Sequence, residues 1–167
     1  TAQSGHNSNL MTQATDQEQK AIGHNTFLFP VAMWLSSRLL IVVAMLLIAP
    51  LFPASPGRIA PTSGWSVFSF MDSTAYQMIA TSDYHYVKNG KLDNVAFFPL
   101  FPLLIRAVMA LGLPFEVAGT LVNNLAFLGA VIVLYRWVEE FHGINAARWA
   151  AAVLAWCPLS LFGTVVY

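Results

Sequence analysis

The sequence predicts an all-α integral membrane protein with about four membrane-embedded helices, one of them short or re-entrant, and an interfacial helix in the first loop. Of its 167 residues, 57% are hydrophobic and 10% are charged, and the mean hydropathy is +0.60. Ordinary soluble domains have a smaller apolar share and a larger charged share. Long apolar stretches also recur, and a polar segment rich in proline and glycine separates the first from the rest.

Charge and cysteine content narrow the possible functions. Eight Lys and Arg balance eight Asp and Glu, so the chain has no net charge to attract nucleic acid, and we expect no such partner. The single cysteine, Cys157, lies in an apolar run, which excludes an internal disulfide and a Cys-based zinc site. Asp83, His85 and Asp93 resemble metal ligands, but so short a pattern is common by chance. The sequence predicts neither a metal nor a cofactor.

Residues 1–26 are predicted to form a disordered polar tail ahead of a polytopic membrane domain at 27–167. The tail is rich in Gln, Asn, Ser and Thr and has no apolar periodicity. Because no basic region precedes the apolar stretch, this stretch is expected to be a retained anchor and not a cleaved signal peptide.

The first predicted span covers 27–51, which is long enough to cross a hydrocarbon layer of about 30 Å. Its single charge, Arg38, must face protein, water or an anion. Two interpretations stay open: contact with a lipid phosphate, or a structural pair with a carboxylate or with helix carbonyls. Prolines recur through 50–61, and they end the helix and begin the polar loop.

The loop contains a predicted short interfacial helix at 68–80, with apolar residues on one face and polar residues on the other. Asp72 lies on its polar side, where a carboxylate can accept a proton from a sugar hydroxyl. The alternative for Asp72 is a solvated acid or a helix cap. Tyr76 and Tyr84 could stack on sugars, although interfacial tyrosines also occur without a ligand.

The segment 97–113 carries two prolines and Arg106, and it is predicted to be kinked, short or re-entrant. Arg106 invites the same two interpretations as Arg38, and from a short segment it could also extend to the membrane surface.

Two further spans follow. In 117–135, Gly119 and Gly129 are predicted places of close helix approach. The pair Asn123 and Asn124 is predicted to hydrogen-bond between helices, with a hydroxylated ligand as the alternative partner. The segment 146–167 is apolar but interrupted by Pro158, and we expect the chain to be cut within this helix.

The orientation that the positive-inside rule predicts depends on whether the segment 97–113 crosses the membrane. If all four segments cross, Lys20 stands alone on one side and the loop, with Arg136 and Arg148, lies in the cytoplasm. If 97–113 is re-entrant, Arg136 and Arg148 change sides and the bias nearly disappears.

Several stretches resemble a known enzyme family. Residues 71–80 (MDSTAYQMIA), Tyr84 and 96–106 (AFFPLFPLLIR) are similar to the mannosyltransferases that add the second mannose to GPI precursors, and to their prokaryotic relatives. The resemblance covers about 27–167, and Phe97 to Pro102 is its most specific part.

The resemblance implies an enzyme of GT-C type, which transfers a sugar from a polyprenyl-phosphate donor without a cofactor. Asp72 would then be the catalytic acid or base, in a first loop that faces the lumen or periplasm of an ER-type or bacterial inner membrane. Tyr76 and Tyr84 would contact substrate. Arg38 and Arg106 are candidate partners of the donor phosphate, an assignment made from their charge within apolar segments.

Two hypotheses follow. The chain is either the N-terminal part of such a glycosyltransferase, inactive by itself because the family enzymes are longer, or a non-catalytic accessory subunit of a larger membrane complex derived from that family. Asp72 and the stretch Phe97 to Pro102 favour the enzyme. Met71, where the family usually has Trp, and the early end of the chain favour the subunit. The pair Ser82 and Asp83, in place of a small-residue turn, is a further departure from the family.

Overall fold

The computed structural model describes residues 27–51, 64–69, 72–84 and 97–166. Of these residues 85% are helical, and within these ranges there is no β-strand. A single parallel bridge joins Ser69 to Val166. The predicted tail at 1–26 lies outside the described residues, as do Met71, His85 and Asp93.

Two helices are long and apolar enough to cross a membrane. The first, α1, runs over Phe27–Leu47, has 21 residues and has a mean hydropathy of 1.9 in its most apolar part. It is followed by a short 3-10 helix, Ala49–Leu51, at the first of the prolines. The second, α4, runs over Phe115–Trp156 and has a mean hydropathy of 2.0. The predicted spans at 27–51 and 117–135 therefore lie mainly in α1 and within α4.

A break at Gly143 divides α4 into two halves, at 115–142 and 144–156. Gly143 has φ 81° and ψ 169°, a conformation that residues with a side chain rarely adopt. Val131 and Tyr135 in the first half pack on Ala147 and Ala151 in the second half. The second half therefore turns back along the first.

The first half of α4 also runs antiparallel to α1. Near the start of α1, the ring of Phe29 lies 6.2 Å from the ring of Tyr135. Further along α1, the guanidinium of Arg38 lies over the ring of Phe127. The order of these contacts is reversed between the two helices, so α1 and the two halves of α4 form a bundle.

The last apolar segment was predicted as one helix over 146–167, and the structure differs. The α-helix ends at Trp156, and a 3-10 helix, Pro158–Gly163, replaces it. Cys157 has ψ 135°, as expected of a residue before proline, because the proline ring crowds the helical conformation there. Pro158 therefore ends the helix instead of merely interrupting it.

Two short helices complete the fold. A helix was predicted over 68–80, and the structure has α2 at Ser73–Ser82, whereas Phe68 ends a separate 3-10 helix, Gly64–Phe68. The helix α3 covers only Leu100–Met109 and is shorter than the segment predicted over 97–113. A turn with Gly112 at φ 87° leads from α3 into α4.

The close helix approach predicted at two glycines is observed at one of them. A Cβ atom on Gly119 would lie 2.5 Å from a methyl carbon of Val166, which is fully buried. A Cβ atom on Gly129 would meet no atom of the described residues within 4 Å. The prediction of close packing is therefore correct for Gly119 and wrong for Gly129.

We expect Gly119→Ala to lower the free energy of unfolding by about 1 kcal/mol, because the clash with Val166 costs more than alanine gains in helix propensity. Thermal unfolding of the purified protein in a mild detergent measures the change. Gly129→Ala is the matched control, and its stability should be unchanged or slightly raised. Equal loss in both variants would contradict the close approach at Gly119.

Candidate functional site

Asp72 stands at the N-terminal end of α2, immediately before its first residue. Its backbone carbonyl accepts hydrogen bonds from the amides of Ala75, at 2.9 Å, and Tyr76, at 3.2 Å. Its side chain does not cap the helix and is exposed. The carboxylate therefore lies at the positive end of the helix dipole and is open to a ligand.

Tyr76 joins α2 to the stretch from Phe97 to Pro102. It lies one helical turn from Asp72, and its ring makes edge contacts with the rings of Phe97, at 5.2 Å, and Phe101, at 5.0 Å. The hydroxyl of Tyr84 donates a hydrogen bond of 2.8 Å to the carbonyl of Phe97. Both predicted substrate-contact tyrosines thus hold α2 against the start of α3.

Arg106 fastens the other end of this pair of helices. Its Nε donates to the carbonyl of Ala80 at 2.9 Å, and its Nη1 lies 2.6 Å from Oδ1 of Asp83. Asp83 directly follows α2 and has a positive φ of 67°. Arg106 therefore neutralises the C-terminal end of α2, where the helix dipole favours a cation.

The position of Arg106 does not favour its predicted role as a phosphate partner beside Asp72. The two side chains are anchored at opposite ends of α2, about 15 Å apart at 1.5 Å per helical residue. In such a transfer the base contacts the acceptor hydroxyl and the cation contacts the leaving phosphate, so the two groups lie on either side of the reacting anomeric carbon. Asp72 and Arg106 therefore stand at opposite ends of α2, and the partners of Arg106 in this structure are Ala80 and Asp83.

Arg38 is buried, with 4% of its surface exposed. Its Nη1 donates to the carbonyl of Ser160 at 2.6 Å and to Oγ1 of Thr164 at 2.8 Å. Its Nη2 donates to Oγ of Ser160 at 2.7 Å and to the carbonyl of Ala155 at 3.1 Å. Its Nε donates to Oγ of Ser37 at 3.3 Å.

A guanidinium has five N–H groups, so these contacts use every donor that Arg38 has. Of the two interpretations that the sequence left open, the structure favours pairing with helix carbonyls. Contact with a lipid phosphate would require Arg38 to give up some of these partners. None of these partners belongs to α2 or α3.

No pattern in the sequence indicated these acceptors. Ser160 and Thr164 are small hydroxyl residues in an apolar stretch, and nothing local marks them as partners of a residue more than a hundred positions earlier. The one usable signal is Pro158, because a helix end leaves backbone carbonyls without partners. A buried arginine needs acceptors for its N–H groups, and the carbonyls at such a helix end need donors.

The two asparagines differ in their partners. Asn123 donates its side-chain amide to the carbonyl of Val165, which lies on the returning segment. Asn124 donates to the carbonyl of Thr120 in its own helix, and its backbone carbonyl accepts a bond of 3.1 Å from the indole of Trp34. The predicted hydrogen bonding between segments is correct for the Asn123 side chain. The Asn124 side chain bonds within α4.

Among the described residues, no group of three or more His, Cys, Asp or Glu side chains could hold a metal. The candidate formed by Asp83, His85 and Asp93 lies largely outside them. Comparison of the chain with protein-family models, with curated proteins and with solved structures finds no match.

We expect Arg38→Met to lower the free energy of unfolding by about 2–4 kcal/mol, because several buried acceptors would lose their donors at once. Detergent unfolding of the purified protein measures the loss. Ser36→Ala is the control on the same helix: the Ser36 hydroxyl is exposed and bonds only to the carbonyl of Met33, so its change should stay under about 0.5 kcal/mol. A stable Arg38→Met variant would show that the cluster around Arg38 is dispensable.

Proposed function

We propose that this chain is an integral membrane domain in which α1, the first half of α4 and the returning segment 144–166 cross the bilayer. In the most apolar parts of α1 and α4, only 17% and 22% of the residues are buried, whereas a core helix of a soluble protein is mostly buried. The outward residues are large and apolar, as lipid contact requires.

In this proposal α3 does not cross the membrane. Its ten residues span about 15 Å, half of the hydrocarbon thickness. Both of its ends are tied to α2: Phe101 packs on Tyr76, and Arg106 bonds to Ala80 and Asp83. The helix α3 therefore stays with α2 in one leaflet, as a short re-entrant segment, and only three segments cross.

Three crossings place Arg136 and Arg148 on the side of the N-terminal tail, opposite to Asp72. The charge bias that put the large loop in the cytoplasm then nearly disappears. The orientation implied by the family resemblance, with the loop on the lumenal or periplasmic side, no longer conflicts with the charges.

Cysteine labelling distinguishes three crossings from four. In a Cys157→Ser background, Thr74→Cys, Leu111→Cys and Glu140→Cys each present an exposed position. With α3 re-entrant, a membrane-impermeant maleimide should reach residues 74 and 111 from the same side and residue 140 from the other. If α3 crosses, residues 74 and 140 would share a side and residue 111 would be opposite.

We further propose that the protein is the N-terminal part of a membrane glycosyltransferase that uses a polyprenyl-phosphate sugar donor. The observation that carries this is the exposed Asp72 carboxylate at the N-terminus of α2, next to Tyr76 and the stretch Phe97 to Pro102. The described residues that support the resemblance lie in or next to two consecutive helices, and Tyr76 and Tyr84 contact the stretch at the start of α3.

In the proposed reaction, the Asp72 carboxylate accepts the proton of an acceptor hydroxyl. The hydroxyl oxygen forms a bond to the anomeric carbon of the donor sugar. The bond from that carbon to the phosphate oxygen breaks, and the polyprenyl phosphate leaves with the electron pair. Because Arg38 is saturated and Arg106 is distant, neutralisation of the leaving phosphate falls to other groups.

We expect Asp72→Asn to lower sugar transfer by about a hundredfold or more, because an amide cannot accept the proton. The assay measures transfer from a polyprenyl-phosphate donor in membranes that contain the intact protein. Asp83→Asn is the control: it removes a carboxylate from the other end of α2 and should leave most of the activity. Undiminished transfer in Asp72→Asn would favour the accessory subunit, and co-purification with partner subunits in mild detergent would then test that alternative.

A further inference from the structure

A second polar feature lies at the opposite end of the bundle from Asp72, beside the start of α1. It is a cavity of about 420 Å³ lined by Phe29, Asn145, Arg148, Trp149 and Ala152. We call it the Arg148 pocket. Its polar groups, Asn145 and Arg148, lie in the first two turns after the break at Gly143, and the rest of its lining is mainly apolar.

Arg148 differs from the other arginine at this end of the bundle. Arg136 pairs with Glu139 at 3.3 Å, and its guanidinium also lies 5.5 Å from the ring centre of Phe27. The guanidinium of Arg148 lies 5.7 Å from the ring centre of Phe29, and within the described ranges it makes no ion pair. The ring contact takes one face of the guanidinium and leaves its N–H groups available for an anion.

An exposed apolar strip continues from the pocket along the second half of α4. Trp149, Val153 and Trp156 are spaced by four and three residues, so they share one helical face. Their exposed fractions are 74%, 64% and 49%. A ligand with its anion at Arg148 therefore has an apolar surface for a long hydrocarbon chain in the direction of the membrane interior.

We propose that the Arg148 pocket binds the phosphate group of an anionic glycerophospholipid from the leaflet on the side of the N-terminal tail. Arg148 and Asn145 donate hydrogen bonds to phosphate oxygens, and an acyl chain lies along the strip from Trp149 to Trp156. The apolar strip favours a lipid over a soluble anion. A polyprenyl-phosphate donor is disfavoured, because a donor used by Asp72 must bind at the other end of the bundle.

Native mass spectrometry of the full chain in detergent tests the proposal, with phosphatidylglycerol, phosphatidylcholine, polyprenyl phosphate and inorganic phosphate as separate probes. We expect wild-type protein to bind phosphatidylglycerol about fivefold more tightly than phosphatidylcholine, the effect of one arginine near a membrane surface. Arg148→Gln should lose this preference. Arg136→Gln, which removes the same charge from the same end, should keep it.

Arg148→Lys retains the charge and should retain part of the preference for phosphatidylglycerol. Thermal unfolding of all variants shows whether any of them has a folding defect. Equal loss in Arg136→Gln and Arg148→Gln would mean that diffuse surface charge binds the lipid, and it would overturn the site. Tighter binding of polyprenyl phosphate, or displacement of the lipid by inorganic phosphate, would overturn the assignment to a glycerophospholipid. These results are independent of the transfer assay with Asp72→Asn.

Discussion

The bundle depends on the hydrogen bonds of one buried arginine. Arg38 stands in the middle of α1, where a charge without partners would be costly in an apolar environment. The returning segment supplies those partners through the carbonyl of Ala155 at the end of α4, the carbonyl and hydroxyl of Ser160 in the 3-10 helix, and the hydroxyl of Thr164 directly after it. Arg38 and the interrupted helix therefore stabilise each other. Without the returning segment the N–H groups of Arg38 would lack acceptors, and without Arg38 the carbonyls and hydroxyls of that segment would lose donors.

This arrangement also explains why Pro158 is compatible with an apolar bundle. A proline inside a helix removes a hydrogen bond and exposes carbonyls, which is costly away from water. Here Arg38 bonds to the carbonyl of Ala155, before the proline, and to that of Ser160, after it. The guanidinium is planar and presents its donors as a fork, so it can bond to acceptors from both helices at once.

The break at Gly143 has a different consequence, because it sets the direction of the chain. Without it, the 42 residues of α4 would form one rod of about 60 Å, much longer than a membrane is thick. The reversal instead brings Val166 beside Gly119 and beside Ile105 of α3. The short helices α2 and α3 pack at that end, and the Arg148 pocket forms at the other.

The sequence by itself determined the helical class, the long apolar helices and the polar position of Asp72. These properties follow from composition and periodicity, which act over neighbouring residues. Only the tertiary structure decided what Arg38 bonds to, where Arg106 lies relative to Asp72 and where α4 reverses. Those depend on which distant segments meet, as in Arg38 with Thr164 or Arg106 with Asp83, and a local pattern does not contain that information. Arg38 shows the difference most clearly: its charge in an apolar span required a partner, and of the two kinds that the sequence left open the fold supplied the structural one, backbone carbonyls and hydroxyls.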